Sequence, residues 1–272
     1  MQKALRSFLL GAFFSPVVCA DHALDWQKLE HGCRWLGPLG DLPVVRVAHV
    51  YDGDTVRLAD GRRLRLLGIN TPELARDGRP AQLFAAETKE LVVDSLAHGQ
   101  WRLLSGHRDQ DRHGRQLGYL LDHRGISLGS VLVDRGAAMW VAKAPDVGHV
   151  ACMKSLERGA QMRQAGLWAG EAWRSTRARD VSSEALGFQL LHGKITRVDA
   201  GRSGRHSYVE LDDHLVLRLS PDIAADTDRW LGRELRVRGW LVQRQLSPGQ
   251  RQKGFKAFLM TVSSRQAIDL AP

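Results

Sequence analysis

Cysteine is scarce in this chain of 272 residues: there are three, none in a C-x-x-C pair and none with zinc-site spacing. Neither a structural zinc site nor a dithiol redox motif is therefore written into it. Long apolar runs are lacking too. The run Phe8-Leu9-Leu10-Gly11-Ala12-Phe13-Phe14 falls well short of the roughly 20 residues that a membrane-spanning helix needs. No other segment is apolar enough to span, so no stable membrane insertion is expected. Negative charge is in short supply, with 30 acidic against 39 basic residues, a formal charge of +9. Such a field suits a polyanionic partner, nucleic acid or an anionic membrane surface, or is simply a solvated basic surface, and it says nothing about chemistry. No residue-level repeat links the two halves of the chain.

What is present begins with the N-terminus. Lys3 and Arg6 flank the apolar run, and Val18-Cys19-Ala20 follows as a small-residue cleavage site before Asp21. That order is a secretory signal at 1–20, with cleavage near Ala20 and a periplasmic or secreted product. A lipid anchor would need a small residue before Cys19, where Val18 stands. Removing two of the 39 basic residues leaves a mature charge of +7. Cys33 and Cys152 remain, either bridged in an oxidising compartment or as two free thiols.

Residues 21–43 read as a leader broken by Gly32, Gly37, Pro38, Gly40 and Pro43. Strands are expected at 44–50, 55–58 and 63–69, with D-G turns at Asp52-Gly53 and Asp60-Gly61. A helix is expected from Pro80 to about residue 98, then strands at 101–104 and 117–121, and helices at 127–135 and 147–164. Three strands, a helix and two strands is the order of a small Greek-key barrel of the OB type. The polar stretch 171–186 reads as a linker. Beyond it, strands are expected at 188–198, 206–211, 214–219, 234–243 and 255–262, with a short helix at 221–230. The fold class is thus mainly β with helices: one barrel over 44–170 and a second, OB-like β domain over 187–272.

Three clusters carry chemistry. Tyr51-Asp52-Gly53-Asp54-Thr55 puts two carboxylates at a turn. Arg65-Leu66-Leu67-Gly68-Ile69-Asn70-Thr71-Pro72-Glu73 sets a strand arginine ahead of a polar loop. Asp111-Arg112-His113-Gly114-Arg115 is a polar loop before a strand. Cutting a phosphodiester needs oxygen ligands for a hard cation, a carboxylate to take a proton from water, and fixed donors for the growing negative charge. Asp54, Asn70, Glu73, Arg65 and Arg115 supply that set together, although each alone is an ordinary surface residue.

Residues 44–170 resemble the thermonuclease family, the staphylococcal nuclease-like proteins. The matching motifs are D-G-D-T at 52–55, R-L-L-G-I-N-T-P-E at 65–73 and D-R-H-G-R-Q-L-G-Y at 111–119, with G-L-W at 166–168 closing the last helix. The resemblance implies a nuclease barrel that takes calcium, or another divalent cation, and acts on DNA, RNA or both. It implies Asp54 as a carboxylate ligand, Thr71 as a backbone-carbonyl ligand, and Asn70 as an amide ligand. Glu73 would be the base, Arg65 and Arg115 the phosphate clamp, Asp52 a group behind the metal, and Arg112 a substrate-phosphate contact.

The chain departs from the family at two places. Asn70 stands where the type member has Asp, which removes one negative charge from the metal site. The stretch Met139-Trp140-Val141-Ala142-Lys143-Ala144 stands where that protein has nucleotide-packing tyrosines, leaving Trp140 as either a stacking surface or core. Residues 187–272 carry 14 basic and 9 acidic residues and the aromatics Tyr208, Trp240 and Phe255. Arg202, Arg205, Arg236, Arg238, Arg251, Lys253 and Lys256 are spread among them, giving either an accessory nucleic-acid surface or a brace for the first barrel. A catalytically silent nucleic-acid-binding module is the rival to the enzyme. Glu73 favours the enzyme, because a pure binder has no chemical need for a carboxylate beside phosphate. No protein partner is named by the sequence.

Overall fold

Short apolar runs alternating with charged residues, and cut by Asp-Gly turns, build the first of two barrels. In a computed structural model the chain is described over residues 26–271 apart from 77, 98, 200, 202–205, 224–226 and 228. The expected signal, the first residues of the leader, and Arg202 and Arg205 lie outside the described residues.

The leader holds a hairpin, β1 (Trp26–Leu29) and β2 (Gly32–Trp35). Cys33 is fully buried and bridged to Cys152 in the last helix of the first barrel, so this segment is tied down covalently. The expected strand at 44–50 is split at Arg46 into β3 (Val44–Val45) and β4 (Val47–Val50). Then come β5 (Thr55–Leu58), β6 (Arg63–Leu66) and β7 (Ile69–Asn70). The expected strand 63–69 breaks at Gly68, whose φ of 80° only glycine adopts without strain. A Cβ there would also meet the buried His149 ring at 2.5 Å.

Helix α1 (Ala85–Ala97) begins five residues after Pro80, which lies in a loop rather than at the first helical position. The chain continues through β8 (Trp101–Gln110), β9 (Gln116–Leu121), α2 (Leu128–Asp134, capped by the Ser127 side chain), β10 (Met139–Trp140) and α3 (Val150–Met162). Sheet order is β3-β8-β9-β6-β5-β4, with β6 and β9 parallel. Because β3 and β4 are consecutive, the sheet closes on itself. Ranked along the chain, its strands run first, second, third, fifth, fourth, which is the OB arrangement. The two-residue strands β7 and β10 form a separate ribbon above the barrel.

The second barrel repeats that order. Its strands are β11 (Thr176–Arg177), β12 (Gly187–Asp199), β13 (Ser207–Leu211), β14 (Leu215–Leu219), β15 (Glu234–Gln243), β16 (Phe258–Val262) and β17 (Ile268–Leu270), with α4 (Pro248–Gln252) between β15 and β16. Strand β12 pairs with both β13 and β15, and β14 runs parallel to β16, so this sheet also closes. The helix expected at 221–230 falls partly outside the described residues. The segment expected as a linker is built into this sheet: β11 pairs in parallel with β12, and Ala178 is buried. Its hydrogen-bonded backbone explains how so polar a stretch stays ordered. Buried side chains of both barrels form one continuous apolar cluster.

Candidate active site

The D-G-D-T turn between β4 and β5 is pinned by its own side chains. Asp52 Oδ1 accepts from the amides of Asp54 and Thr55 at 3.0 and 2.7 Å, a local turn that fixes where Asp54 points. Gly53 must be glycine for space: a Cβ would overlap Thr88 and Thr71. Asp54 is thereby held in a buried position.

Its carboxylate is fully engaged. Oδ2 pairs with Arg65 Nη2 at 2.9 Å and accepts from the Thr71 amide at 3.3 Å, while Oδ1 accepts from the Thr55 hydroxyl at 3.0 Å. Arg65 stands opposite Thr55 in the β5–β6 pairing, so strand register alone sets it beside Asp54. Burial is the largest influence on Asp54 and raises its pKa to about 6; Arg65 opposes this, and the charges of Asp52 and Glu73 add to it.

Arg115 comes from the third cluster. Asp111, four residues earlier, takes its Nε at 2.8 Å and its Nη2 at 2.7 Å, fixing the guanidinium plane. Its Nη1 then reaches the Thr55 hydroxyl at 3.2 Å. Asp111 is itself partly desolvated, but the Arg115 and His113 amides and the Arg115 guanidinium hold its carboxyl below the ordinary range. Thr55 therefore links the Asp54–Arg65 pair to Arg115. Arg112 is exposed, with its Nε on the His113 ring at 3.0 Å.

Glu73 leads a loop that is closed on itself: its amide donates to Gln82 Oε1 at 2.8 Å, and its carbonyl accepts from the Gln82 amide at 2.9 Å. Partial desolvation and the charge of Asp52 raise its pKa, while Arg65, Arg115 and Arg76 pull the other way. The carboxyl thus lies within the field of both arginines on an otherwise exposed residue. Asn70, buried on β7, donates from Nδ2 to the Thr71 carbonyl at 3.2 Å. Turning that amide over would present its oxygen instead, so Asp54, Asn70 and the Thr71 carbonyl could each offer an oxygen ligand to a hard cation. Among the described residues no cluster of three or more His, Cys, Asp or Glu could hold a metal.

The structure brings Asp52, Asp54, Arg65, Glu73 and Arg115 into one electrostatic neighbourhood, with Asn70 and Thr71 at its edge. Trp140 is core, buried with Arg238 Cζ 3.7 Å from its ring centre, and offers no stacking surface. The sequence motifs contain Gly53, Thr55, Asp111 and Tyr119 but assign them no role, and Gln82 and His149 lie outside every motif. Only Asp111 has a local pointer to its role, its i, i+4 spacing to Arg115. The buried Tyr119 hydroxyl and His149 ring are 3.0 Å apart beneath the Gly68 turn, where burial holds His149 neutral with a pKa near 4.

A family model described as staphylococcal nuclease homologue matches residues 63–170. An uncharacterized endonuclease of Escherichia coli O157:H7 is 30% identical over 165 residues, covering 59% of this chain and 86% of that protein. The thermonuclease of Staphylococcus hyicus is 26% identical over 127 residues, covering 46% of this chain and 75% of the other. That of Staphylococcus intermedius is 28% identical over 126 residues, covering 45% and 74%.

Proposed function

Because this chain belongs to the family of staphylococcal nuclease homologues, we propose that it is an exported, calcium-dependent nuclease acting on DNA, RNA or both. Nucleic acid as the substrate follows from the family, whose members generally depend on divalent cations. The observation that carries the finer reading is the Asp54–Arg65–Thr55–Arg115 network with Glu73 in its field.

Asp54, Asn70 and the Thr71 carbonyl would hold the ion, with Asp52 behind them. The bound cation would supply charge neutralisation at the scissile phosphate and lower the cost of ionising Asp54. Glu73 orients the attacking water and takes its proton; its raised pKa brings it nearer neutrality, where a general base is most effective. Arg65 and Arg115 donate to the non-bridging phosphate oxygens as their charge grows. The Asp111 fork keeps Arg115 in place before substrate arrives, so little reorganisation opposes the step. Arg112, exposed and adjacent, contacts phosphates along the strand. Export is supported by the signal-like N-terminus and by the Cys33–Cys152 bridge, a bond suited to an oxidising compartment.

One observation favours a weaker, nucleic-acid-binding role: the amide of Asn70 faces Thr71 O with its nitrogen. Incubating the protein with plasmid DNA and with RNA, each with calcium or with chelator, separates the readings. Cleavage that chelator stops supports the nuclease. Retarded but intact nucleic acid supports the binding module.

A further inference from the structure

The second barrel touches the first beside the β7–β10 ribbon. That ribbon carries Asn70 directly: Met139 pairs with Asn70 and Trp140 with Ile69, and the Val141 amide donates to Gly68 O at 2.8 Å. Having two strands, it has a free edge at Trp140, and a two-stranded ribbon is marginal by itself. The edge is completed by side chains. Trp140 N–H donates to Glu157 Oε2 at 3.1 Å, and Trp140 C=O accepts from Arg238 Nη1 at 3.0 Å. Arg238 and Glu157 are joined as a fork, Nη2 to Oε1 at 2.7 Å and Nη1 to Oε2 at 3.0 Å. Glu157 belongs to α3, but Arg238 belongs to β15 of the second barrel. The ion pair thus stands in for a third strand, and half of it is supplied from outside the nuclease barrel.

A second contact grips the same ribbon from its other face. Met139 and Val141 pack with Leu167 and with Phe188 of β12, and Phe84 and Leu190 lean on that cluster. Phe84 ends the loop that starts at Glu73 and directly precedes α1, with a φ of 70° that is costly for an aromatic residue. Packing on the cluster that Phe188 completes offsets that cost.

We infer that the second barrel positions the active site: Arg238 and Phe188 hold the ribbon and the Glu73 loop in the geometry that the cation and substrate require. This rests on the nuclease reading for its consequence, not for its structural content. Arg238 and Phe188 are positioning residues, acting through Trp140, Asn70 and Phe84.

The test uses the full chain with Arg238→Met and Glu157→Gln combined, which removes the fork without stranding a buried charge. Hydrogen exchange is followed in chelator, and calcium affinity by calorimetry. Faster exchange at Asn70 and Val141, with the urea midpoint little changed, is the expected result. Calcium dissociation should rise about 10- to 100-fold, as when groups that hold metal ligands from behind are lost. Arg238→Lys alone should recover part of both. Unchanged exchange at the ribbon, or exchange raised equally throughout the chain, would overturn the inference. If the parent protein cuts no nucleic acid while ribbon exchange still responds, the nuclease reading fails and the positioning role stands.

Discussion

Replacing Asp54 by Asn should stabilise the metal-free protein while abolishing its activity. The carboxyl is buried, and its folded pKa of about 6 already includes the help that Arg65 gives. A folded pKa raised above 3.8 contributes stability that is complete below 3.8 and lost as pH rises through about 6. The gap corresponds to roughly 3 kcal/mol against the ionised form at pH 7.5. Asparagine has the same shape and no charge to desolvate, and one oxygen of the amide can still accept from Thr55 or Thr71. Arg65 loses its partner but keeps the Leu66 carbonyl at 2.8 Å and some solvent. The net gain for Asp54→Asn should be about 1–3 kcal/mol at pH 7.5, falling to about half at pH 5, where the parent carboxyl is mostly protonated. Urea unfolding of both proteins in chelator at the two pH values measures it. Saturating calcium should reverse the order, because only the parent gains from binding the ion. A metal-free Asp54→Asn protein less stable than its parent at pH 7.5 would show that the ion pair outweighs desolvation, refuting the reasoning.

Other expectations follow from neighbouring contacts. Arg115→Ala should slow cleavage by roughly two to three orders of magnitude, with the melting temperature little changed, read by initial rates and calorimetry. Asn70→Asp should restore a charged ligand and move calcium activation to lower concentration, with less change in the saturated rate; a calcium titration of cleavage reads this. Replacing Cys33 and Cys152 by alanine opens a link between residues 119 apart in sequence and should cost about 4–5 kcal/mol in urea unfolding.

The first barrel was legible because its strands alternate cleanly between Asp-Gly turns, and the second because the same element order recurs. Helix α1 starts late because Phe84 adopts a left-handed backbone, which a sequence pattern around Pro80 does not reveal. The linker reading of 171–186 judged polarity alone, and the parallel pairing of Thr176 with Leu191 is a long-range event invisible locally. The site's charged members were legible as motifs. The Thr55 hydroxyl between Asp54 and Arg115 was not, since only strand register brings those groups together. Arg238 read as a generic basic residue, and its bond to Trp140 spans 98 positions.

The central claim is that Glu73 acts as base in a calcium-dependent phosphodiester hydrolysis, and Glu73→Gln tests it most directly. Single-turnover cleavage of a labelled DNA strand at saturating calcium is compared with the parent across pH, alongside binding of the same strand. The parent rate should rise with pH through the raised carboxyl pKa of Glu73. Glu73→Gln should bind the strand as the parent does, cut it roughly 100- to 10,000-fold more slowly, and lose that limb of the profile. Cleavage by Glu73→Gln at the parent rate, with the same pH dependence, would contradict the account.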